Sequence, residues 1–549
     1  MNQFIGGHIV AVLTLAAVLT WCTKPVTAAE PVVAEHGMVA SAHRLASEVG
    51  IEVLKQGGNA VDAAIAVAAT LNVVDFPMTG IGGDMFALVW MADEGKVAAL
   101  NGSGRSPYAA TRDYYRQHGF SSMPGRGLLS VNVPGAPAGW VSLLERYGTK
   151  PLGELLQPAV KIAEEGFVLN NRLAESLAST ENTIKKYPTT MKVFSRDGRL
   201  LKAGERLVQK DLARTLRIIA EKGADAFYRG EIAEQIVGFC KQNGGLLTME
   251  DFEDHASTWV EPITIAYRGC TVYEMPPNSQ GIALLEQLNI LNGWDIRQFG
   301  PQTAETITRQ IEAKKVAFAD RQRHITDPEF AQIPVKQLLS SEYATKRRSA
   351  INLEQVSNRV EPGIFQERDT TTFTVVDEHR NCVSFINSLF AEMGSGVVAG
   401  DTGVLLQSRA NGFSLDEKSV NRLEPHKRTM HTLNPVMVLK DAKPCIVLGV
   451  IGGDQQTQGS QQILVNVIDF GMNIQDAIDA PRWSSVYGTT IALEPEIGES
   501  ARKALESKGY RITDQDIYFG GAQAIILDHA TGRLLGGSDK RIGGIALGY

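Results

Sequence analysis

Thr370 stands where a hydroxyl and a primary amine can arise on one residue. It lies in the run Asp369-Thr370-Thr371-Thr372-Phe373-Thr374-Val375-Val376-Asp377, after a polar stretch over 352–369 that contains Pro362 and Gly363. A cut between Asp369 and Thr370 gives the threonine a nucleophilic Oγ1 and, on the same residue, the base that activates it. An α-amine, with a pKa of about 7.7–8.0, is partly unprotonated near neutrality, whereas a lysine at about 10.4 needs strong desolvation to match it. The same hydroxyl can first attack the Asp369 carbonyl, giving an ester that water opens, so that one nucleophile serves both processing and catalysis. Taken alone, a threonine triplet is ordinary strand material, because β-branched residues favour sheets. Its place at the junction of a helix-rich and a strand-rich half singles it out.

Amide hydrolysis also needs donors for the developing oxyanion. Gly452-Gly453, in Val450-Ile451-Gly452-Gly453-Asp454, follows a predicted strand and precedes a helix. Backbone N–H groups at such a corner point outward, and glycine permits close approach and unusual dihedrals. Arg105, in the loop Asn101-Gly102-Ser103-Gly104-Arg105, and Arg409 are each suited to holding a substrate carboxylate bidentately. His431 has no sequence neighbour that would complete a metal site. The glycine-rich Thr79-Gly80-Ile81-Gly82-Gly83-Asp84 is not a dinucleotide loop, because its glycines precede a strand instead of following one and opening a helix. A tight loop packed beside the active site fits it better.

The elements that must position these residues fall into two textures. Before Thr370, hydrophobic periodicity predicts helices over His43–Lys55, Ala60–Leu71 (capped by Asn59), Ala138–Tyr147, Leu155–Glu165, Arg172–Tyr187, Val208–Lys222 and Ala224–Gln242. Further helices are predicted around Ile282–Leu291 and Thr303–Asp320, with Thr248 and Asp251 as a capping pair. Strands are predicted at Phe86–Met91, Lys96–Leu100 and within Ile263–Tyr273. From Thr370 onward the pattern gives Thr370–Val376, Asn381–Asn387, Gly403–Gln407, Pro435–Lys440, Cys445–Val450, Ala522–Asp528 and Leu534–Gly536 as strands. Helices Gln458–Phe470 and Ser500–Lys508 lie among them. This mixture excludes a pure helix bundle and suits an α/β architecture of two sheets between helical layers.

With 549 residues, 44% of them hydrophobic, the chain can build a large core. A net charge of −7 and the lack of a basic run argue against a nucleic-acid partner. Ile9–Trp21 is apolar but short for a membrane span, and Val26-Thr27-Ala28-Ala29 supplies small residues for cleavage. Residues 1–29 therefore read as a signal peptide and the protein as secreted or periplasmic. No Lys or Arg precedes the apolar run, so an uncleaved membrane anchor is the rival reading. Cys240, Cys270, Cys382 and Cys445 are widely spaced, which indicates neither a zinc site nor a dense disulfide framework.

Taken in order, several of these residues resemble the γ-glutamyltransferase family of N-terminal-nucleophile hydrolases. The markers are Gly80-Ile81-Gly82-Gly83, Ala110-Thr111-Arg112-Asp113, Tyr267-Arg268-Gly269, Met275-Pro276-Pro277, Ala319-Asp320-Arg321, the Thr370 run and Gly452-Gly453. The likeness runs from about His36 to Tyr549. It implies a four-layer αββα sandwich and self-cleavage into a large subunit, 30–369, and a small subunit, 370–549, which pair as a heterodimer. It implies Thr370 as nucleophile, Gly452 and Gly453 as oxyanion hole, and transfer of an acyl group, typically γ-glutamyl from glutathione, to water or an amine. No metal or organic cofactor is called for. Ser388 and Thr371 become candidates to position the nucleophile, and Arg105, Ser388, Arg409, His431 and Thr432 candidates to bind the acyl group.

The chain departs from the family pattern at the acyl site. The substrate-carboxylate arginine is replaced by Ser103, with Arg105 nearby. The threonine and asparagine after the nucleophile strand become Ser388 and Phe390. The acid that grips the α-amine becomes Gly412, the glutamine before it Arg409, and the paired serines His431-Thr432. The segment Gly412–Arg428 is short for the lid of some transpeptidases. Three readings follow. One is a hydrolase of γ-glutamyl or related amides, with water favoured over amine acceptors. Another is an acylase for groups without the α-amine, of glutaryl or oxamate type. The third, from another class, is an uncut, inactive periplasmic binding protein.

Overall fold

The computed structural model describes residues 29–356, 369–515 and 517–549. All but the last residue of the signal-peptide assignment, and residues 357–368 of the polar stretch before Thr370, lie outside them. The first part of the chain contributes β1 (Val32–Ala34), β2 (Met38–Ser41), β3 (Asp84–Met91), β4 (Lys96–Gly102), β5 (Thr258–Val260), β6 (Ile263–Tyr267) and β7 (Cys270–Glu274). The second contributes β8 (Asp369–Val376), β9 (Cys382–Phe390), β10 (Val436–Lys440), β11 (Lys443–Val450), β12 (Ala522–Asp528), β13 (Arg533–Ser538) and β14 (Ile545–Gly548). They form two antiparallel sheets, ordered β1-β13-β12-β11-β10-β7-β6 and β14-β2-β8-β9-β3-β4-β5. Each sheet takes strands from both sides of the Asp369–Thr370 bond. A cut there leaves two fragments joined through the ladders of both sheets.

An apolar layer including Met38, Phe86, Leu88, Ile386, Met437, Val447 and Ile525 fills the space between the sheets. Helices α1 (Arg44–Lys55) and α2 (Ala60–Val74) pack on the outer face of the second sheet. Helices α3 (Gly281–Leu291), α4 (Ala304–His324) and α5 (Gln455–Ile468) belong to the layer outside the first. The result is the αββα sandwich. In α2 every residue is buried, which its small side chains permit, and Asn59 and Asp62 close a reciprocal capping box at its start. The Thr248–Asp251 capping box also forms.

Several predicted elements are shorter or broken. The span 172–187 divides into Asn171–Ser179 and Glu181–Ile184, with Thr180 between them, and Pro188 opens a separate helix, Pro188–Phe194. The span 224–242 breaks at Gly230. Gly403–Gln407 forms isolated bridges through Leu405 and Leu406 but no strand, because Gly403 takes a left-handed φ of 71° and the segment pairs only singly. Helix α5 begins three residues earlier than predicted, directly after Gly452-Gly453-Asp454.

Strand β8 fixes the two directions that matter for the site. Successive side chains alternate between faces. Phe373 and Val375 enter the core beneath α2, and Val376 enters the layer between the sheets. Thr371 therefore points with Phe373, and its hydroxyl donates to Asp75 Oδ2 at the end of α2 at 2.8 Å. Thr370, Thr372 and Thr374 point the other way, toward the first sheet. Gly449 on β11 makes this approach feasible: a Cβ there would lie 1.8 Å from Thr372 Oγ1.

Candidate active site

Thr370 is wholly buried at the start of β8. The pairing of β8 with β9 is irregular here: Asp369 lies opposite Phe390 but Thr371 opposite Asn387, so β9 carries one extra residue across from Thr370. Thr370 Oγ1 lies 3.5 Å from Ser388 Oγ and accepts from Gln456 Nε2 at 3.3 Å. Gln456 sits in the first turn of α5 and its side-chain oxygen accepts from Asn434 N, so the carboxamide is held at both ends.

The turn that enters α5 lies beside this hydroxyl. Gly452 and Gly453 are buried and take φ of 109° and 59°, dihedrals that favour glycine. The Gly452 carbonyl accepts from Gln455 N at 2.9 Å, which turns it into the helix. In a trans peptide the N–H opposes the carbonyl, so the Gly453 N–H faces away from α5. Among the described residues the Gly452 and Gly453 amides have no acceptor within the protein. Buried N–H groups are rarely left so, and two of them beside a hydroxyl are what an oxyanion needs.

Behind Ser388 lies a buried polar cluster. Arg409 donates to Ser388 Oγ at 3.2 Å and to Thr432 Oγ1 at 3.4 Å, and its Nε lies 3.5 Å from Asp84 Oδ2. Its guanidinium carbon rests 4.5 Å from the centre of the Phe390 ring, a cation–π contact. Phe390 holds a left-handed φ of 81°, a conformation asparagine adopts more readily than an aromatic residue. Its amide donates to Ser388 Oγ at 2.7 Å. His431 Nδ1 accepts from Leu433 N, so Nε2 carries the proton and donates to Asp84 Oδ2 at 3.1 Å. Asp84 also accepts from Gly104 N and Gln407 Nε2. Burial raises its carboxyl to about 6, with Arg409 pulling the other way. Burial lowers Arg409 to about 10, which leaves it cationic at neutral pH.

The structure thus brings Thr370, Ser388, Arg409, His431 and Thr432 into one network, with Gly452 and Gly453 joined to it through Gln456. Thr371 lies on the opposite face of β8. Arg105 is outside the network: its guanidinium is taken up by Asp327 at 3.2 Å, Glu329 at 2.6 Å and the His426 carbonyl. Ser103 is tied to the side chains of Asn101 and Asn278. The glycine loop does pack against the site, since a Cβ on Gly83 would lie 2.3 Å from the Ser388 carbonyl. Asp84, Gln456 and Gln407 are the residues that sequence reasoning missed as site members. Asp84 ended a loop already placed beside the site, and a buried arginine demands such a counter-ion.

A cavity of about 580 Å³ opens beside the turn, with Asp454 and Arg321 at one wall and Met123, Phe413, Leu415 and Met430 among its apolar lining. Gly412 also lines it, so position 412 itself presents no carboxylate, and Asp416 lines the same cavity. Among the described residues no cluster of His, Cys, Asp and Glu forms a metal site, and no helix is long and apolar enough to cross a membrane. Cys240, Cys270, Cys382 and Cys445 are free thiols, the first three of them buried.

A two-sheet sandwich with a buried threonine opening a central strand, opposite unpaired turn amides, defines the class as that of N-terminal-nucleophile hydrolases. The family model described as gamma-glutamyltranspeptidase matches residues 46–549, and the chain belongs to that family of enzymes. It is 42% identical to the glutathione hydrolase-like YwrD proenzyme of Bacillus subtilis, over 93% of this chain and 98% of the relative. It is 36% identical to a glutathione hydrolase proenzyme of Pseudomonas sp., over 94% and 95%. Its fold matches the crystal structure of cephalosporin acylase from Bacillus halodurans with a TM-score of 0.90 and 39% identity, over 98% of this chain and 99% of the other.

Proposed function

We propose that the chain is a precursor that cleaves itself between Asp369 and Thr370, and that the product is an amidohydrolase preferring acyl groups with a terminal carboxylate and no α-amine. In the uncut chain the Thr370 nitrogen is an amide and cannot act as a base. After cleavage the freed amine takes the proton of Oγ1 as that oxygen attacks the amide carbonyl. The Gly452 and Gly453 N–H groups hold the oxyanion, the amine returns the proton to the leaving nitrogen, and water releases the acyl group. Ser388 and Gln456 orient the nucleophile. The large and small subunits, 30–369 and 370–549, stay paired through their shared sheets, and residues 1–29 act as a leader for export.

The observation that carries the mechanism is Thr370 Oγ1 bonded to Gln456 beside two amides without acceptors. The acyl preference rests on charge. Asp84 and Asp454 are engaged by Arg409 and Arg321. Asp416 on the cavity wall is exposed and accepts from the Lys418 amide, and Gly412 stands where the family resemblance leads one to expect an acid. A buried ammonium with no counter-charge costs several kcal/mol, by the usual order of magnitude for an unpaired buried ion. Arg409, with Thr432 and His431 beside it, offers the opposite charge. Likeness to a cephalosporin acylase supports the same reading.

Two measurements test it. Matured protein should run as two fragments on a denaturing gel, the smaller beginning at Thr370, and Thr370→Ala should give one uncut, inactive chain. Active protein with that bond intact sinks the mechanism. The kcat/KM for glutaryl-p-nitroanilide should exceed that for γ-glutamyl-p-nitroanilide; the reverse order overturns the acyl assignment.

A further inference from the structure

The markers Met275-Pro276-Pro277 and Ala319-Asp320-Arg321 have no part in the mechanism above, yet both lead to one buried side chain. Three residues after the first, Gln280 begins the approach to α3 and is fully buried. Its Nε2 donates to the Thr432 carbonyl at 2.7 Å and to the Gly453 carbonyl at 3.0 Å. Its Oε1 accepts from Arg321 on α4. Arg321 in turn pairs with Asp454 at 2.7 Å, with both side chains nearly buried, and rests 3.9 Å over the Phe318 ring. The residues around Gln280 bind the same partner segment: Asn278 Nδ2 donates to the Thr429 carbonyl, Ser279 Oγ to that of Leu433, and Gln280 N to that of His431.

We infer that Gln280, oriented by the Arg321–Asp454 pair, is a positioning residue that aims the Gly452-Gly453 amides and ties them to the acyl-binding segment at Thr432. The physical reason is economy of donors. The Gly453 carbonyl accepts only from Gln280 Nε2 and Gln456 N among the described residues. The Gly453 carbonyl shares a rigid plane with the Asp454 N–H, so a donor to it pins that plane on one side of the Gly453 Cα, while Gln455 N pins the Gly452–Gly453 plane on the other. With both planes held, glycine dihedrals that no side chain restrains stay where they aim the Gly452 and Gly453 N–H groups. Arg321 draws density toward Oε1 and makes Nε2 the stronger donor. A single carboxamide thereby fixes the distance between the turn that receives the oxyanion and the segment before β10 that receives the acyl tail.

The inference rests on the reading of Gly452 and Gly453 as oxyanion donors, and the test separates the two. Gln280→Met keeps the volume and removes both donors. The readouts are kcat/KM on glutaryl-p-nitroanilide, inhibition by 4-boronobutanoic acid, and inhibition by glutarate. The boronic acid takes the Thr370 oxygen onto boron and places a negative oxygen where the oxyanion forms, whereas glutarate reports the carboxylate site alone. In Gln280→Met, kcat/KM and boronate affinity should fall together by about 100-fold, the order lost with one oxyanion donor, while glutarate inhibition stays within about threefold. Boronate affinity unchanged in the variant overturns the inference and leaves the mechanism standing. A wild-type enzyme indifferent to the boronate overturns the oxyanion assignment itself. If Gln280→Met is recovered uncut or misfolded, Arg321→Lys keeps the pair with Asp454 and loses the geometry that also reaches Gln280. It should show the same parallel loss at about tenfold, and equal boronate affinity there overturns the inference as well.

Discussion

Arg105 sits in a loop and Arg409 opens a short 3-10 turn, Arg409–Gly412, and either arginine suits a carboxylate ligand, but their surroundings differ. Arg105 keeps 13% of its side chain exposed and meets two carboxylates at short distance, Asp327 and Glu329. Arg409 is fully buried, has Asp84 at a looser 3.5 Å, and spends its other contacts on the hydroxyls of Ser388 and Thr432 and on the Phe390 ring. The first arrangement is a satisfied structural ion pair that stitches 105 to 327–329. The second holds a cation one hydroxyl away from Thr370. The contrast shows that an arginine's suitability for substrate depends less on its loop than on how many anions already claim it.

The largest effect expected from breaking that contrast is at Arg409. Arg409→Met should lower kcat/KM on glutaryl-p-nitroanilide by roughly 100- to 1,000-fold, the loss of about 3–4 kcal/mol of charge-assisted binding, and should abolish the preference over a neutral butyryl amide. Retained preference would remove Arg409 from the acyl site.

An intermediate effect concerns Asp84. Its carboxyl is raised from 3.8 to about 6, by burial first, so the folded state holds a proton that the unfolded state releases. Stability from this group is therefore fully present below about pH 3.8 and is lost as pH rises through about 6, by about 3 kcal/mol in all. Asp84→Asn removes the ionisable group. In the uncut Thr370→Ala background, where unfolding involves one chain, the double variant Thr370→Ala/Asp84→Asn should gain about that much relative to its parent between pH 4 and pH 7. Denaturant titrations at the two pH values measure it, and a constant difference refutes the assignment.

The smallest catalytic effect belongs to Arg105→Met. It should change kcat/KM by less than about threefold and lower stability by about 1–3 kcal/mol, because Asp327 is buried and, among the described residues, its carboxylate keeps only the backbone donors of Arg428 and Glu329. A large KM change with unaltered stability would reverse the roles given to the two arginines.

Much of the architecture was legible locally. The capping residues Asn59 and Thr248, the paired strands around 86–100 and the strand-to-helix corner at Gly452-Gly453 follow from propensity and period over a few residues. Periodicity failed where a local breaker outweighed it, as at Gly230 and before Pro188, and where a segment pairs too briefly to form a strand, as at Gly403–Gln407. The site was legible in part. Alternation along β8 already separates Thr370 from Thr371, but which face meets the glycine turn depends on Gly449 admitting Thr372 from the other sheet.

By itself the sequence set apart the threonine run at Asp369–Thr370 and the glycine corner, because each is a matter of residue type in a short window, and the family resemblance marked Gly412 as standing in place of an acid. Only the tertiary structure decided that Asp84 neutralises Arg409, that Asp327 and Glu329 claim Arg105, and that Gln280 joins Thr432 to Gly453. The shortest of those pairings, Gln280 to Thr432, spans 152 positions of chain. Local propensity has no hold over such distances; burial selects them, because a charge or carboxamide removed from water must find its partner wherever the packed sheets bring one.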